Sequence, residues 1–528
     1  MTAAQLWERY QRHLCECETP KLALDVSRML FDDQFLPEME LPVQQAYQAM
    51  RELEAGALAN PDEKRRVGHY WLRAPQLAPR PADEPDIPEK IVKARREVEA
   101  FAAKVRAGEI TAPSGKPFAH ALVVGIGGSA LGPQFVSQAL GDTGTSGVAM
   151  HFMDNTDPDG MSRVLRTLAG KLGETLVIVI SKSGDTPETA NGKTVTEQAY
   201  AAAGLDFAKH AVAITGEGST LDKEAEPWLR RFPMWDWVGG RTSLGSAVGL
   251  LPAALEDIDT EALLDGMAAC DEVTRCELTA ENPAALLALM WYYAVHERGK
   301  CSMVVLPYKD LLELFGRYLQ QLVMESLGKA LDRKGKRVKE GLAVYGNKGS
   351  TDQHAFVQQL RDGRNDFFVT FIEVLEHGAE VGTVPDGEGN ALSPGDFLHA
   401  FLQGTRKALT DNGRESLTVT IPRVDARNVG VLVALFERAV GYYAELVDLN
   451  AYNQPGVEAG KQAGAGVLAI RREVVEALEA SSEVSLACLA EQVALRLGYP
   501  CASEVIELVA KQLEYLKANG QWPRCPSG

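Results

Sequence analysis

Within Arg317 to Lys329, RYLQQLVMESLGK, the amide of Gln321 and the carboxylate of Glu325 lie four residues apart. Leu319, Leu322, Val323 and Leu327 recur at helical spacing, and no Gly or Pro intervenes before Gly328, so the stretch reads as a helix on a core. That spacing puts amide and carboxylate on one face, a turn apart. A carboxylate so placed can take and return a proton; taken alone, such a pair more often marks a solvated helix face.

Other stretches offer complementary chemistry. GIGGSALG (Gly125 to Gly132) falls between an apolar run and a helical one, where glycines let backbone N–H groups approach an anion. It also fits a dinucleotide fingerprint loosely, at Gly125, Gly127 and Ala130 with Asp154 after the next strand. SKSGDTPET (Ser181 to Thr189) supplies the hydroxyls of Ser181, Ser183, Thr186 and Thr189 and the ammonium of Lys182 ahead of a helix with Pro187 in its first turn. Phosphate recognition uses such short donors with helix N-terminal amides, whereas simple N-capping requires one hydroxyl. No Walker motif is present. GGRTSLGSAVGL places Arg241 after two glycines, fit for an anion, a developing oxyanion or a salt bridge. His354 lies in GNKGSTDQHAF after a glycine-rich loop, and Lys461 lies among small residues in VEAGKQAGAGVL, where close packing would lower its pKa.

The elements that must hold these residues alternate. Buried strands are expected at Ala121–Ile126, Val148–Met153, Thr175–Ser181 and His210–Thr215. A second set is expected at Ser302–Leu306, Leu342–Gly346, Asp366–Val374 and Ser416–Pro422, with helical runs between. That pattern predicts an α/β chain with two mainly parallel sheets covered on both faces. Residues 1–110 read as a mostly helical segment packing on the second domain, 111–275 as the first α/β domain, 276–455 as the second and 456–528 as a helical tail.

The 528 residues carry 54 Lys and Arg against 72 Asp and Glu, a net charge of −18, which argues against a general nucleic-acid binder and against docking on anionic lipid. No apolar run approaches the roughly 18 residues of a membrane span, and MTAAQLWERYQRHLCECE reads as a charged amphipathic helix without a signal-peptide core, so a cytoplasmic location is expected. The eight cysteines lack CxxC pairing and the nine histidines lack HxxxH or HxH spacing, so free thiols and no structural zinc are expected.

Taken together, GIGGS, SKSGDTPET, GGRTSLGSAVGL, QQLVMESLGK, GSTDQH and QPGVEAGK resemble, in order from Gly125 to Lys461, the motifs of the glucose-6-phosphate isomerase (phosphoglucose isomerase) family. The resemblance implies two sugar-isomerase-type (SIS) three-layer αβα domains and interconversion of glucose 6-phosphate and fructose 6-phosphate. It further implies no metal or organic cofactor and a homodimer with active sites at the subunit interface. By the same resemblance Glu325 is the base, Arg241 stabilises the enediolate, and His354 and Lys461 open the sugar ring. Ser181, Ser183, Thr186 and Thr189 then form the phosphate cradle, to which the loop's own chemistry adds Lys182, with Gly128, Ser129, Gln321 and Gln454 as substrate contacts. Glu188 orients His354, which serves the neighbouring subunit's site.

The chain departs from the commoner family pattern at Thr242, Leu327 and Gly184-Asp185. Those at Thr242 and Asp185 raise a broader isomerase that also accepts mannose 6-phosphate. A non-catalytic sugar-phosphate regulator and a nicotinamide dehydrogenase are the readings from other classes.

Overall fold

The computed structural model describes residues 2–141, 147–480 and 484–521, the side chains at 457–459, 461 and 462 aside. The chain forms two compact units, Met1–Asn453 and Gln454–Gly528.

The first unit contains both main sheets. Its strands run in chain order β1 (Leu14–Cys17), β2 (Leu22–Arg28), β3 (His120–Val124), β4 (Ala149–Met153), β5 (Thr175–Ile180), β6 (Ala211–Thr215), β7 (Arg230–Pro233) and β8 (Ser302–Pro307). There follow the hairpin β9 (Lys329–Leu331) and β10 (Arg337–Glu340), then β11 (Ala343–Tyr345), β12 (Phe367–Val374), the short pair β13 (Val384–Pro385) and β14 (Ala391–Leu392), and β15 (Ser416–Ile421). The first sheet is parallel throughout, in the order β4-β3-β5-β6-β7. Successive residues of β5 enter opposite layers: Leu176, Ile178 and Ile180 join one core and Val177 and Val179 another. That period of two, apolar on both faces, is what a sheet sandwiched between helix layers requires. β3 leads to β4 on one side and, through it, to β5 on the other, so the loops after β3 and β5 leave at the reversal of strand order, where α/β sheets form crevices.

The second sheet runs β1-β2-β15-β12-β8-β11, with β15, β12, β8 and β11 parallel. Val304, Leu306, Phe367, Val369 and Phe371 face the helices Val357–Asp362 and Pro394–Asp411. Met303, Val305, Phe368 and Ile372 face the core shared with the first sheet. Through that core runs the helix Ala426–Leu446, buried without a break from Asn428 to Ala444.

The N-terminal segment carries, besides the helices Ala3–His13, Phe35–Glu54 and Ile87–Arg106, a hairpin that the mostly helical expectation did not include. The opening helix stops at His13, and β1 and β2 form an antiparallel hairpin that extends the second sheet along β15. Thr19-Pro20 in the turn ends any helical run, and buried Asp25 meets Arg406, which lets a polar sequence lie inside a sheet. β7 was also unforeseen; RRFP is short and charged, as suits a sheet edge. The second unit is helical, over Pro455–Ala480, Leu486–Leu497 and Ile506–Ala518. Ile470, Val474, Leu489, Val493, Val505 and Val509 form its own core.

Candidate active site

The stretch that includes Arg317-Tyr318 is α-helical over Phe315–Leu319, widens from Gln320 to Glu325 into a π-helical turn, and ends after Leu327. A Cβ on Gly328 would stand 2.6 Å from the carbonyl of Met324, so the chain turns away there and Lys329 opens β9 instead of closing the helix. π-helical turns re-aim side chains and recur at functional positions. This one ends on Glu325.

Arg241 meets that carboxylate. It sits in the 3-10 turn Gly240–Thr242, is 7% exposed, and places Nη1 3.3 Å from Glu325 Oε2. Its Nη2 donates to the carbonyls of Ala451 (2.6 Å) and Asn453 (3.0 Å), which fixes the guanidinium plane. Burial lowers the Arg241 pKa, and the nearby Glu325 carboxylate opposes that. Glu325 Oε2 is buried and, at this angle, accepts no hydrogen bond among the described residues. An ion pair with unused acceptor capacity on one side is a proton acceptor beside a fixed cation.

The glycine loop after β3 lies flat against the backbone of the Gly240–Thr242 turn and against the Gln321 amide. A Cβ on Gly128 would fall 2.0 Å from the carbonyl oxygen of Gly240 and 2.8 Å from the amide nitrogen of Arg241, so only glycine permits this approach. Gly127, at φ +57°, faces the Gln321 amide, whose Nε2 stands 3.0 Å from where a Cβ would be. Ser129 is buried in the same turn. Gln321, Glu325, Arg241, Gly127 and Gly128 are therefore one constellation.

The hydroxyl loop leaves the next strand. Gly125 packs against the carbonyl of Ile180, 3.3 Å from a would-be Cβ, so the two loops start side by side. Buried Ser181 accepts from the Gly184 N–H at 3.1 Å, and Ser183 accepts from the Asp185 N–H at 3.2 Å. Gly184 is at φ +83°, with Leu221 N 2.4 Å from a would-be Cβ, so no larger residue fits that turn. Thr186 is the N-cap of the helix Pro187–Ala202, yet its side chain makes no capping bond. The hydroxyls therefore do not serve as caps, and the first-turn N–H groups remain available to an anion. Thr189 is buried in that first turn and Glu188 is half-buried there. Asp185 is exposed, whereas Thr242 is buried and donates to the Gly239 carbonyl at 3.3 Å.

Lys182 has a different task from the one its sequence position suggests. Its Nζ donates to the carbonyls of Asp236 (2.9 Å) and Val238 (3.2 Å), tying the hydroxyl loop to the segment that leads into Arg241. Burial, with Arg65 nearby, pushes its pKa down to about 8.

His354 stands apart from this constellation. It closes a 3-10 turn, Thr351–His354, folded by Asp352, which accepts from the backbone N–H groups of Asn347 (2.8 Å) and Lys348 (3.0 Å). The imidazole is exposed and, among the described residues, makes no hydrogen bond or ion pair with Glu188 or any other group. Gln454 is exposed at the start of the second unit, and the Lys461 side chain lies outside the described residues.

Two contributors escaped the sequence reading. Lys329, 7% exposed, donates to the carbonyl of Glu325 (2.8 Å) and of Asn453 (3.0 Å). Asp62 accepts from Asn450 Nδ2 (2.8 Å) and from Asn453 Nδ2, holding the turn whose carbonyls Arg241 uses. The GK pair after Glu325 was the available signal for Lys329. Backbone acceptors such as Asn453 leave none.

Among the described residues no helix is long and apolar enough to cross a membrane, and no three His, Cys, Asp or Glu side chains converge as metal ligands do. The family model described as phosphoglucose isomerase matches residues 25–387. The glucose-6-phosphate isomerase of Geobacter sulfurreducens is 57% identical over 524 residues, covering 98% of this chain and 96% of that protein. That of Synechococcus elongatus is 56% identical over 521 residues, with the same coverage. The crystal structure of a glucose-6-phosphate isomerase from Chlamydia trachomatis superposes with a TM-score of 0.80 at 26% identity, over 94% of this chain and 95% of that one. Over sequence, fold and loop order alike, the chain belongs to the phosphoglucose isomerase family.

Proposed function

We propose that the chain interconverts glucose 6-phosphate and fructose 6-phosphate, with Glu325 carrying a proton between carbons 1 and 2 of the opened sugar. The observation that carries this reading is the ion pair of half-buried Glu325 with buried Arg241, 3.3 Å apart. Glu325 removes the proton from carbon 2 of the aldose, negative charge develops on the enediolate oxygens beside Arg241, and the same carboxylate returns the proton to carbon 1. A carboxylate suits the task because the proton must leave and return on one face of the sugar. The phosphate rests on the uncapped helix start at Pro187 with Ser181, Ser183, Thr186 and Thr189 around it, and Gln321 with Gly128 and Ser129 positions the sugar oxygens.

Ring opening falls to His354 and Lys461. The exposed His354, unpaired within its own chain among the described residues, supports a homodimer in which it serves the neighbouring copy. Gln454 adds a substrate contact, and a cytoplasmic location accords with a sugar phosphate substrate.

The test is fructose 6-phosphate formation from glucose 6-phosphate, with EDTA and no added cofactor, on wild type and Glu325→Gln. Loss of general acid–base catalysis costs about 10²–10⁴-fold in turnover while the variant still binds sugar phosphate. An unchanged rate in the variant removes Glu325 as the base.

A further inference from the structure

The base and the guanidinium belong to different parts of the chain, and something must fix their separation. Lys329 is placed to do so. The carbonyl of Glu325 would ordinarily accept from the backbone N–H four residues on, but that residue has already left the helix for β9. Its side chain takes over: Lys329 Nζ donates to the Glu325 carbonyl at 2.8 Å and to the Asn453 carbonyl at 3.0 Å. Arg241 Nη2 donates to that same Asn453 carbonyl at 3.0 Å, and Arg241 Nη1 returns to Glu325 at 3.3 Å. The four residues close a ring of polar contacts, anchored from outside by Asp62 on the Asn450–Asn453 turn.

We propose that Lys329 is a positioning residue for the isomerisation, holding the Glu325 backbone at a fixed distance from the Arg241 guanidinium through their common acceptor at Asn453. The inference rests on the isomerase reading above. Four charged groups face the ammonium: Arg241 from the turn after β7, Glu325 from the π-helical turn, and Asp62 and Glu63 from the segment before Val67. Burial first, then Arg241, pushes the Lys329 pKa down to about 8 against the opposing carboxylates. As pH rises through that value the ammonium becomes a neutral amine, which still has N–H groups but donates weaker bonds to both carbonyls.

The experiment is steady-state kinetics from pH 6.5 to 9.5 on wild type, Lys329→Met and Lys329→Arg, with binding of a non-isomerisable six-carbon polyol phosphate measured separately. A displacement of about 1 Å at the base costs about 100-fold. Lys329→Met is expected to lower kcat about 100-fold, to change polyol phosphate affinity less than about 3-fold, and to lack the fall in kcat above about pH 8 that is expected of wild type. Lys329→Arg, with its cation and two-directional donors, is expected to recover at least about 10-fold of the loss. Should Lys329→Met not fold, Lys329→Arg alone decides: a kcat within about 10-fold of wild type, with its alkaline fall moved above pH 9.5, supports the role, and an unmoved fall overturns it. Unchanged kcat in Lys329→Met, or a fall in affinity as large as that in kcat, also overturns it. No turnover by wild type would instead remove the isomerase reading, and this inference with it.

Discussion

Replacing Arg241 with lysine keeps the charge and removes the fork. In the native site one terminal nitrogen reaches two carbonyls, at 2.6 and 3.0 Å, while the other stands 3.3 Å from Glu325. A single ammonium on a shorter stem cannot reach all three of these partners at once. Loss of a preorganised donor to a developing oxyanion typically removes about 2.7–4 kcal/mol of transition-state stabilisation. At about 1.36 kcal/mol per decade, that is a 10²–10³-fold fall in kcat. Stability responds on another scale. One buried carbonyl left without a donor costs about 1–3 kcal/mol. Unfolding entropy of roughly 2 cal/mol/K per residue, summed over a unit the size of Met1–Asn453, is about 1 kcal/mol/K, so Tm falls by only about 1–3 °C. A coupled isomerase assay and calorimetry on Arg241→Lys should therefore show a crippled enzyme that melts almost where wild type does. A kcat within about 10-fold of wild type would refute the assignment of Arg241 to the enediolate. A Tm lowered by more than about 10 °C would mean that its bonds to Ala451 and Asn453 chiefly hold the fold.

Three further outcomes follow from the same geometry. Gly128→Ala puts a methyl group 2.0 Å from the Gly240 carbonyl oxygen, so the two loops must part; activity should fall at least about 100-fold, and wild-type turnover would show the approach to be unnecessary. Ser181→Ala removes the acceptor of the Gly184 N–H and should raise KM about 10-fold, from roughly 1.5 kcal/mol of lost hydrogen bonding, with kcat within about 3-fold; a KM unchanged under the same assay places the phosphate elsewhere. Lys182 titrates at about 8 in the folded chain, because of burial and Arg65, and near 10.4 when unfolded. Between those values the unfolded chain holds more protons, so this group's contribution makes stability rise from about pH 8 to about pH 10. Lys182→Met should abolish that rise in urea melts, and identical pH slopes for the two proteins would exclude it.

What the sequence made legible was what depends on local pattern. Strands buried on both faces, such as TLVIVI, announce themselves as apolar runs, and the glycine and hydroxyl loops that follow them are dense in distinctive residues. The Ser181–Thr189 loop could be read as an anion site by type and spacing, whereas Glu325 and Arg241 gained their roles from the family resemblance. Lys329 could not be given a task, because its helix had to end at Gly328 before its ammonium could reach back to the Glu325 carbonyl. Lys182 was assigned to the ligand from its place in the loop, since nothing local indicates the distant carbonyls of Asp236 and Val238 that it serves. The hairpin β1–β2 was hidden for a related reason: a buried Asp25 makes sense only once Arg406 is beside it.

That hairpin also sets an order of events during synthesis. β2 emerges from the ribosome early, but its partner β15 comes nearly four hundred residues later: Leu24 pairs with Val419, and the N–H of Leu30 reaches Glu415 across 385 positions. The strands of the first sheet lie within residues 120–233 and can pair as soon as that stretch is made. The second sheet has to wait until its own first strands have been in solution for most of the chain's translation, with the β15-facing edge of the β1–β2 hairpin open meanwhile. Closure of that edge is then the late step in maturation, and a chaperone that shields the N-terminal thirty or so residues would act on the interval when this enzyme is most prone to aggregate.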